Sequence, residues 1–216
     1  MRALKASLIA ALAAAVAAAL WWRKNPSACP YNQRFWVQAP HPFITRERLH
    51  EVLALKPGER VLEVGPGTGY YTLDVAEWVG EEGEVHILDV QQEMLDHTIG
   101  RAREAGLGNI TPRLGDATGM PYEDRSFDAA YLVTVLGEVP DQDAALRELA
   151  RVLKPGGRLV VGELIGDPHY VGIKRMRLRA AAAGLTFERR SGNALGFFAL
   201  FSRPGAAEEP GPAGAV

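Results

Sequence analysis

From Arg60 onward, short apolar runs alternate with stretches of helical period. Arg60–Val64 is an apolar run that feeds a glycine cluster. Tyr70–Val79 sets Leu73, Val75, Ala76 and Val79 on one stripe, which predicts a helix. Glu84–Val90 predicts a second strand, Gln91–Ala105 a helix, Ile110–Leu114 a third strand and Phe127–Val133 a fourth. Asp141–Leu153 predicts a helix with Leu146, Leu149, Ala150 and Leu153 on one face, and Lys154-Pro155-Gly156-Gly157 stops it. Arg158–Leu164 is the fifth strand, and Tyr170–Ala183 a helix closed by Gly184. Leu185–Arg190 and Ala194–Ser202 are two late strands joined by Ser191-Gly192-Asn193, a hairpin-length connection. Strand and helix in alternation predict an α/β fold, a parallel sheet with helices on both faces. The sheet has seven strands, and the closing hairpin makes the last one antiparallel.

The two ends are different material. Ala6 to Trp22 is a stretch of 17 residues without a charge, mostly Ala, preceded by Arg2 and Lys5 and followed by Arg23 and Lys24. As a helix it would be roughly 25 Å long, the short end of what spans a bilayer. A single membrane anchor is the leading reading, supported by Trp21, Trp22 and the basic pair beside them. A cleaved signal peptide fits less well, because Trp-Trp-Arg-Lys is a poor cleavage junction. An Ala-rich helix lying on a surface is the remaining alternative. Pro26-Ser27-Ala28-Cys29 has the outline of a lipoprotein box, but Pro replaces the usual Leu, so no lipid attachment is read there. Pro204 to Val216 holds Pro, Gly, Ala and two Glu, too little apolar surface to order itself. The chain therefore divides into residues 1–24, a hydrophobic helix; 25–56, a lid or linker with a first helix; 57–203, the main domain; and 204–216, a tail.

Composition narrows the classes. Hydrophobic residues are 47% and charged residues 23% of the 216, which excludes a wholly disordered or polytopic membrane protein. Net charge is −2, so a strongly basic nucleic-acid binder is not expected. Cys29 is the one cysteine, which excludes an intrachain disulfide and a thiolate zinc cluster. No pair among the five histidines has metal-ligand spacing, so no metal is expected.

The chemistry concentrates in Glu63-Val64-Gly65-Pro66-Gly67-Thr68-Gly69-Tyr70, between the first strand and the first helix of the main domain. Glycines there let backbone N–H groups approach a ligand closely. Asp89 ends the second strand, 20 residues after Gly69, where its carboxylate can accept both hydroxyls of a ribose. Together these predict a nucleoside site; a tight turn with a solvated Asp is the plain alternative.

The loop spacing is G-x-G-x-G, with the acid Glu63 two residues before the first glycine. This resembles motif I of the class I S-adenosylmethionine-dependent methyltransferases. Val61–Gly69, His86–Met94, Gly115-Asp116-Ala117, Phe127–Tyr131 and Arg151–Leu159 resemble that family's successive motifs in order, over roughly residues 57–165. The resemblance is nearest to the ubiquinone and menaquinone C-methyltransferases and their relatives, the type 11 methyltransferase-domain group. It implies a Rossmann-like, doubly wound fold and S-adenosyl-L-methionine as cofactor. By the same resemblance Gly65, Pro66, Gly67, Thr68 and Gly69 would surround the methionine end, and Glu63 would organise the loop and reach the amino group. Asp89 would hold the ribose diol, Val90 and Met94 would pack on the adenine, and Asp116 and Ala117 would contact its edge. Thr134 and Val135 would face the sulfonium. A cationic cofactor suits carboxylates and carbonyls.

The acceptor side is less distinctive. Glu138 could deprotonate or attract an amine, or equally cap the next helix; many relatives place a His one residue earlier, where this chain has Gly137. Tyr31, Phe35 and Trp36 lie in a segment that folds over the cofactor in relatives, with ordinary linker packing as the alternative. His41, in the rigid loop Pro40-His41-Pro42, and His169, which follows the fifth strand, read first as surface or turn residues and second as catalysts, while His50, His86 and His97 read as structural. Glu138, Tyr31 and His41 are the candidate catalytic side chains. Lys174, Arg175, Arg177 and Arg179 read first as a solvated helix face, and second as a contact for anionic lipid.

These readings converge on a methyltransferase acting by in-line transfer on a small, lipophilic acceptor of the phospholipid-amine or quinone class, at the cytoplasmic face of a membrane. A soluble small-molecule methyltransferase and a non-catalytic cofactor-binding scaffold are the alternatives. No nucleic-acid partner is expected.

Overall fold

The computed structural model describes residues 25–38 and 41–205, with residues 14 and 21 besides. The expected anchor at 6–22, the side chain of Trp36 and the tail beyond Gly205 lie outside the described residues, save Ala14 and Trp21. No helix among the described residues is long and apolar enough to cross a membrane.

Seven strands form one sheet: β1 (Arg60–Val64), β2 (Glu84–Asp89), β3 (Ile110–Leu114), β4 (Phe127–Val133), β5 (Leu153–Leu164), β6 (Thr186–Gly192) and β7 (Gly196–Ser202). Their order across the sheet is β3-β2-β1-β4-β5-β7-β6. The first five are parallel, and β7 runs antiparallel to both β5 and β6. Besides a single turn at Phe35–Gln38, the helices among the described residues are α1 (Arg46–Leu53), α2 (Thr72–Val79), α3 (Gln92–Glu104), α4 (Gln142–Val152) and α5 (Ile173–Ala182).

Side-chain alternation along the strands builds two cores. Val61, Val85, Ile87, Ala129 and Tyr131 face one side and are buried with residues of α1, α2 and α3. Leu62, Val64, Leu88, Ala130 and Leu132 face the other and are buried with residues of α4 and α5. The central strands are buried on both faces, which is why they read as continuous apolar runs rather than alternating ones. The two edges are protected differently. β3 carries Pro112 and exposed Arg113, and β6 carries exposed Glu188, Arg189 and Arg190.

Three of the boundaries that differ from the sequence expectation have a visible cause. β5 begins at Leu153, five residues early. Leu153 pairs with Phe127 and Arg158 with Ala129, so Lys154–Gly157 is a bulge within the ladder, tied by Lys154 to Asp128 at 2.7 Å. α5 starts at Ile173 rather than Tyr170, because Tyr170 closes a turn onto the Asp167 carbonyl. The hairpin turn falls at Asn193–Leu195, since Gly192 still pairs with Phe197; the Asn193 side chain accepts the N–H of Leu195 at 2.8 Å.

Candidate active site

The strand order reverses between β1 and β4, and the connections after these strands part in opposite directions there. Such a switch point leaves a crevice beyond the strand C-termini. Two cavities open in it. The first, about 300 Å³, lies over Gly65, Gly67, Asp89, Met94 and Ala117. The second, about 470 Å³, lies over Glu63, Tyr70, Tyr71, Asp167 and His169. Ser27, Cys29, Gly65, Val133, Thr134 and Glu138 belong to both walls.

The glycine loop is held at close quarters. Gly65 has φ +68° and donates its N–H to the Leu88 carbonyl at 2.8 Å. A Cβ there would come within 2.5 Å of Val135. Two side chains of α3 clamp the loop from behind: Thr98 donates to the Gly67 carbonyl at 3.1 Å, and Arg101 to that of Thr68 at 2.6 Å. Neither was singled out in the sequence, where an interior Thr and a last-turn Arg carry no signal of their own.

Not every residue of the loop reaches a cavity. Thr68 is fully buried and lines neither wall, and Gly69 packs against Thr98 and Leu73. Gly65 and Gly67 line the first cavity, and Pro66 the second.

Asp89 is buried, and its carboxylate accepts the N–H of Gln91 at 2.9 Å. Burial pushes its pKa up to about 6, against the pull of backbone N–H donors. Val90, half exposed, and buried Met94 flank it on the cavity wall. Asp116 also lines the wall, with its carboxylate turned partly onto Thr118, whose N–H and hydroxyl donate at 2.7 and 2.8 Å. Glu63 is buried behind the loop, accepts from the Thr72 hydroxyl, and has its pKa raised by burial to about 7. It faces the second cavity rather than the first.

Thr134 and Val135 sit at the end of β4. Thr134 is a non-glycine residue at φ +56°, held by its N–H to the Gly162 carbonyl at 2.8 Å. Such a conformation costs of order 1–3 kcal/mol and persists only where surroundings impose it. Here it folds the chain between the two cavities.

Glu138 follows in a short 3-10 turn and is the side chain common to both cavities that can titrate near neutral pH. Burial, with the charges of Asp167 and Asp89 adding, pushes its pKa up to about 8. Gly137 beside it is explained by contact. A Cβ there would lie 1.7 Å from the His169 carbonyl oxygen, so the 165–170 loop occupies the space a larger residue would need.

The segment before α1 crosses the first cavity. Glu138 accepts the N–H of Cys29 at 3.2 Å. Gln91 donates to the Cys29 carbonyl at 3.0 Å and accepts the N–H of Tyr31 at 3.1 Å. Tyr31 itself lines neither cavity; its hydroxyl meets His97 at 3.2 Å. In these contacts Tyr31 secures the strap, with His97 as its partner. Phe35 is exposed. His41 does line the second cavity, edge-on to Tyr70 at 5.0 Å, with its Nδ1 buried and unbonded and its pKa lowered by burial. His86 is structural, set between Glu84, Tyr122 and Phe127.

The first cavity fits a nucleoside bearing positive charge: carboxylates at Asp89, Asp116 and Glu138, apolar Val90 and Met94, and, among the described residues, no Lys or Arg on the wall. Among the described residues no cluster could hold a metal ion.

Residues 61–157, the stretch that builds this cavity, match the family described as methyltransferase domain. Over that stretch the chain is similar to the S-adenosylmethionine-dependent methyltransferases. A ubiquinone/menaquinone biosynthesis C-methyltransferase UbiE of Shewanella sp. (strain ANA-3) is 39% identical over 120 residues, covering 55% of this chain and 48% of that one. The Teredinibacter turnerae protein of the same name is 40% identical over 116 residues, 52% and 46% of the two chains. The chain thus spans about half the length of the curated relatives it matches. A SAM-dependent methyltransferase from Aquifex aeolicus superposes with TM-score 0.75 at 23% identity, over 82% of this chain and all of that one. The [4+2]-cyclase SpnF superposes with TM-score 0.66 at 24% identity, over 74% and 80%. These two share the fold; the reaction has to be argued from the site.

Proposed function

We propose that this methyltransferase-family protein transfers a methyl group from S-adenosylmethionine to a small, lipophilic acceptor of the phospholipid-amine or quinone class. The observation that carries the reading is the pair of cavities meeting at Gly65, Thr134 and Glu138. One cavity takes the cofactor, the other the acceptor, and they touch where the methyl group would pass. In this reading Asp89 holds the ribose diol, Val90 and Met94 sandwich the adenine, Asp116 and Ala117 meet its edge, and Gly65 and Gly67 leave room for the methionine portion.

The sulfonium activates its own methyl carbon, so the difficult chemistry comes with the cofactor. The protein's contribution is alignment and exclusion of water, which in favourable cases is worth about 7 kcal/mol or more. Thr134 and Val135 fix the line of approach, the strap at Ser27–Tyr31 covers the cofactor, and Glu138 or His41 accepts a proton if the acceptor must lose one.

The lipophilic part of the reading rests on the charge-free stretch 6–22, which we take as an anchor holding the domain on the cytoplasmic side of a membrane. Incubation with methyl-labelled cofactor and a lipid extract tests the whole: a labelled lipid supports it, and label confined to water-soluble products favours a soluble small-molecule acceptor.

A further inference from the structure

The second cavity differs from a general apolar pocket in its charge. Three carboxylates stand on its wall, Glu63, Glu138 and Asp167, with two histidines and, among the described residues, no Lys or Arg. Arg46 lies over the face of Tyr70, 4.4 Å from the ring centre, but it is paired with Asp74 at 3.2 Å, which offsets its charge. Tyr70, Tyr71 and His41 supply ring edges and faces on the same wall. The rim differs again. Leu164 and Gly166 line the cavity, and between them Ile165 is 54% exposed. Ile165 is joined through its N–H to the carbonyl of Leu195, itself 45% exposed, at 2.9 Å. An acidic, aromatic interior therefore opens past an apolar lip.

Resting on the methyl-transfer reading above, we propose that this cavity takes a primary or secondary amine on an apolar chain, its nitrogen between Glu138 and Asp167 and its chain leaving over Ile165 and Leu195. An ammonium group is what such a wall recognises, by charge-assisted hydrogen bonds to carboxylates and by the faces of aromatic rings. An anionic acceptor meets the opposite field. A quinol becomes nucleophilic at carbon as its phenolate, and that charge would stand beside two carboxylates. Burial raises the pKa of Asp167 and pushes that of Glu138 to about 8, so an entering cation draws both toward their ionised forms, while an anion would hold them protonated.

The step balances. The Glu138 carboxylate takes one proton from the entering ammonium, which frees the nitrogen lone pair. The nitrogen attacks the methyl carbon; the N–C bond forms as the C–S bond breaks, and that bonding pair stays on sulfur. The product leaves as the N-methylammonium, and Glu138 returns its proton to solvent.

The test uses the full chain. Dodecylamine, butylamine and 4-dodecylphenol are each titrated calorimetrically into the complex with S-adenosylhomocysteine, and each is offered with methyl-labelled S-adenosylmethionine, as is a reduced benzoquinone. Dodecylamine is expected to bind and to acquire label on nitrogen. D167N should weaken its binding about tenfold, the scale of one hydrogen bond to a charged group, without changing cofactor affinity. The rim variant I165S/L195S should raise KM for dodecylamine about three- to tenfold and leave butylamine unaffected. Cofactor binding with label on the phenol or quinol, or with no labelled amine, overturns the amine assignment alone. Failure to bind S-adenosylmethionine or S-adenosylhomocysteine overturns the methyl-transfer reading beneath it.

Discussion

The carboxylate of Glu138, at the end of β4, accepts the backbone N–H of Cys29 from a segment 109 positions earlier in the chain. That single bond ties the strap over the first cavity to the one acid shared by both cavities. Gln91, two residues past the end of β2 and itself on the first cavity's wall, holds the same strap from the other side. Cofactor enclosure and acceptor chemistry are thereby linked through one side chain.

Removing the strap's second holder should loosen the cover without touching the nucleoside contacts. For Gln91→Ala we expect cofactor affinity to fall by about 1 kcal/mol, mostly through faster release. Hydrogen exchange at Cys29 and Tyr31 should rise in parallel. Unchanged release kinetics would show that the strap does not gate the site.

Asp89→Ala should cost about 1.5–3 kcal/mol in S-adenosylmethionine affinity, because it deletes hydrogen bonds to a charged acceptor. NAD should not bind to either protein. Calorimetry that finds NAD binding, or finds the variant unimpaired, contradicts the proposed ribose role.

Gly137→Ala should act on the acceptor side. Its new Cβ meets the His169 carbonyl at 1.7 Å, and the loop carrying Asp167 must move to admit it. Overpacking of this kind costs about 1–3 kcal/mol of stability. KM for the acceptor should rise while cofactor affinity holds; the reverse pattern would place the 165–170 loop outside the acceptor site.

The buried acids set a pH dependence. Glu138, Glu63 and Asp89 have folded-state pKa values raised to about 8, 7 and 6, above the roughly 4 of an unfolded chain. Between those limits the folded state keeps protons that the unfolded state has released. The stability these groups contribute is therefore present at low pH and is lost as pH rises through the folded values. Glu138→Gln cannot make that loss. Its melting temperature should match the parent near pH 5 and exceed it by pH 9. S-adenosylmethionine, a cation that favours the ionised acids, should raise the melting temperature more at pH 8 than at pH 6. A difference between the two proteins that does not vary with pH would contradict the placement of Glu138 in a buried, acid-rich wall.

Deleting residues 1–24 removes none of the described site, which begins at Ser27. Cofactor affinity should be unchanged, and the protein should move from the membrane to the soluble fraction. Activity on a dispersed acceptor should survive while activity on intact bilayers falls, since an anchor supplies effective concentration. Full-length protein found only in the soluble fraction would remove the support for a lipophilic acceptor.

Much of the fold is legible along the chain because its determinants are local. The apolar runs of β1, β2 and β4, the stripe of α2 and the glycine loop each declare themselves within a dozen residues, and Asp89 is legible because its distance from the loop is one βα unit. The resemblance to a known family adds the nucleoside assignment on the same residues. Boundaries were less legible where pairing decides them: Lys154–Gly157 reads as a stop signal, yet Leu153 is already paired with Phe127 across the sheet. The second cavity, by contrast, comes from long-range packing alone. It draws on the strap, β1, the glycine loop, the end of β4 and the loop after β5. Asp167 carries no signal in the sequence, Tyr31 is turned away onto His97, and Gly137 is small because a loop 32 positions later needs its space. Those relationships depend on which loops meet above the strand ends, and that depends on the strand order, which periodicity along a single segment cannot encode.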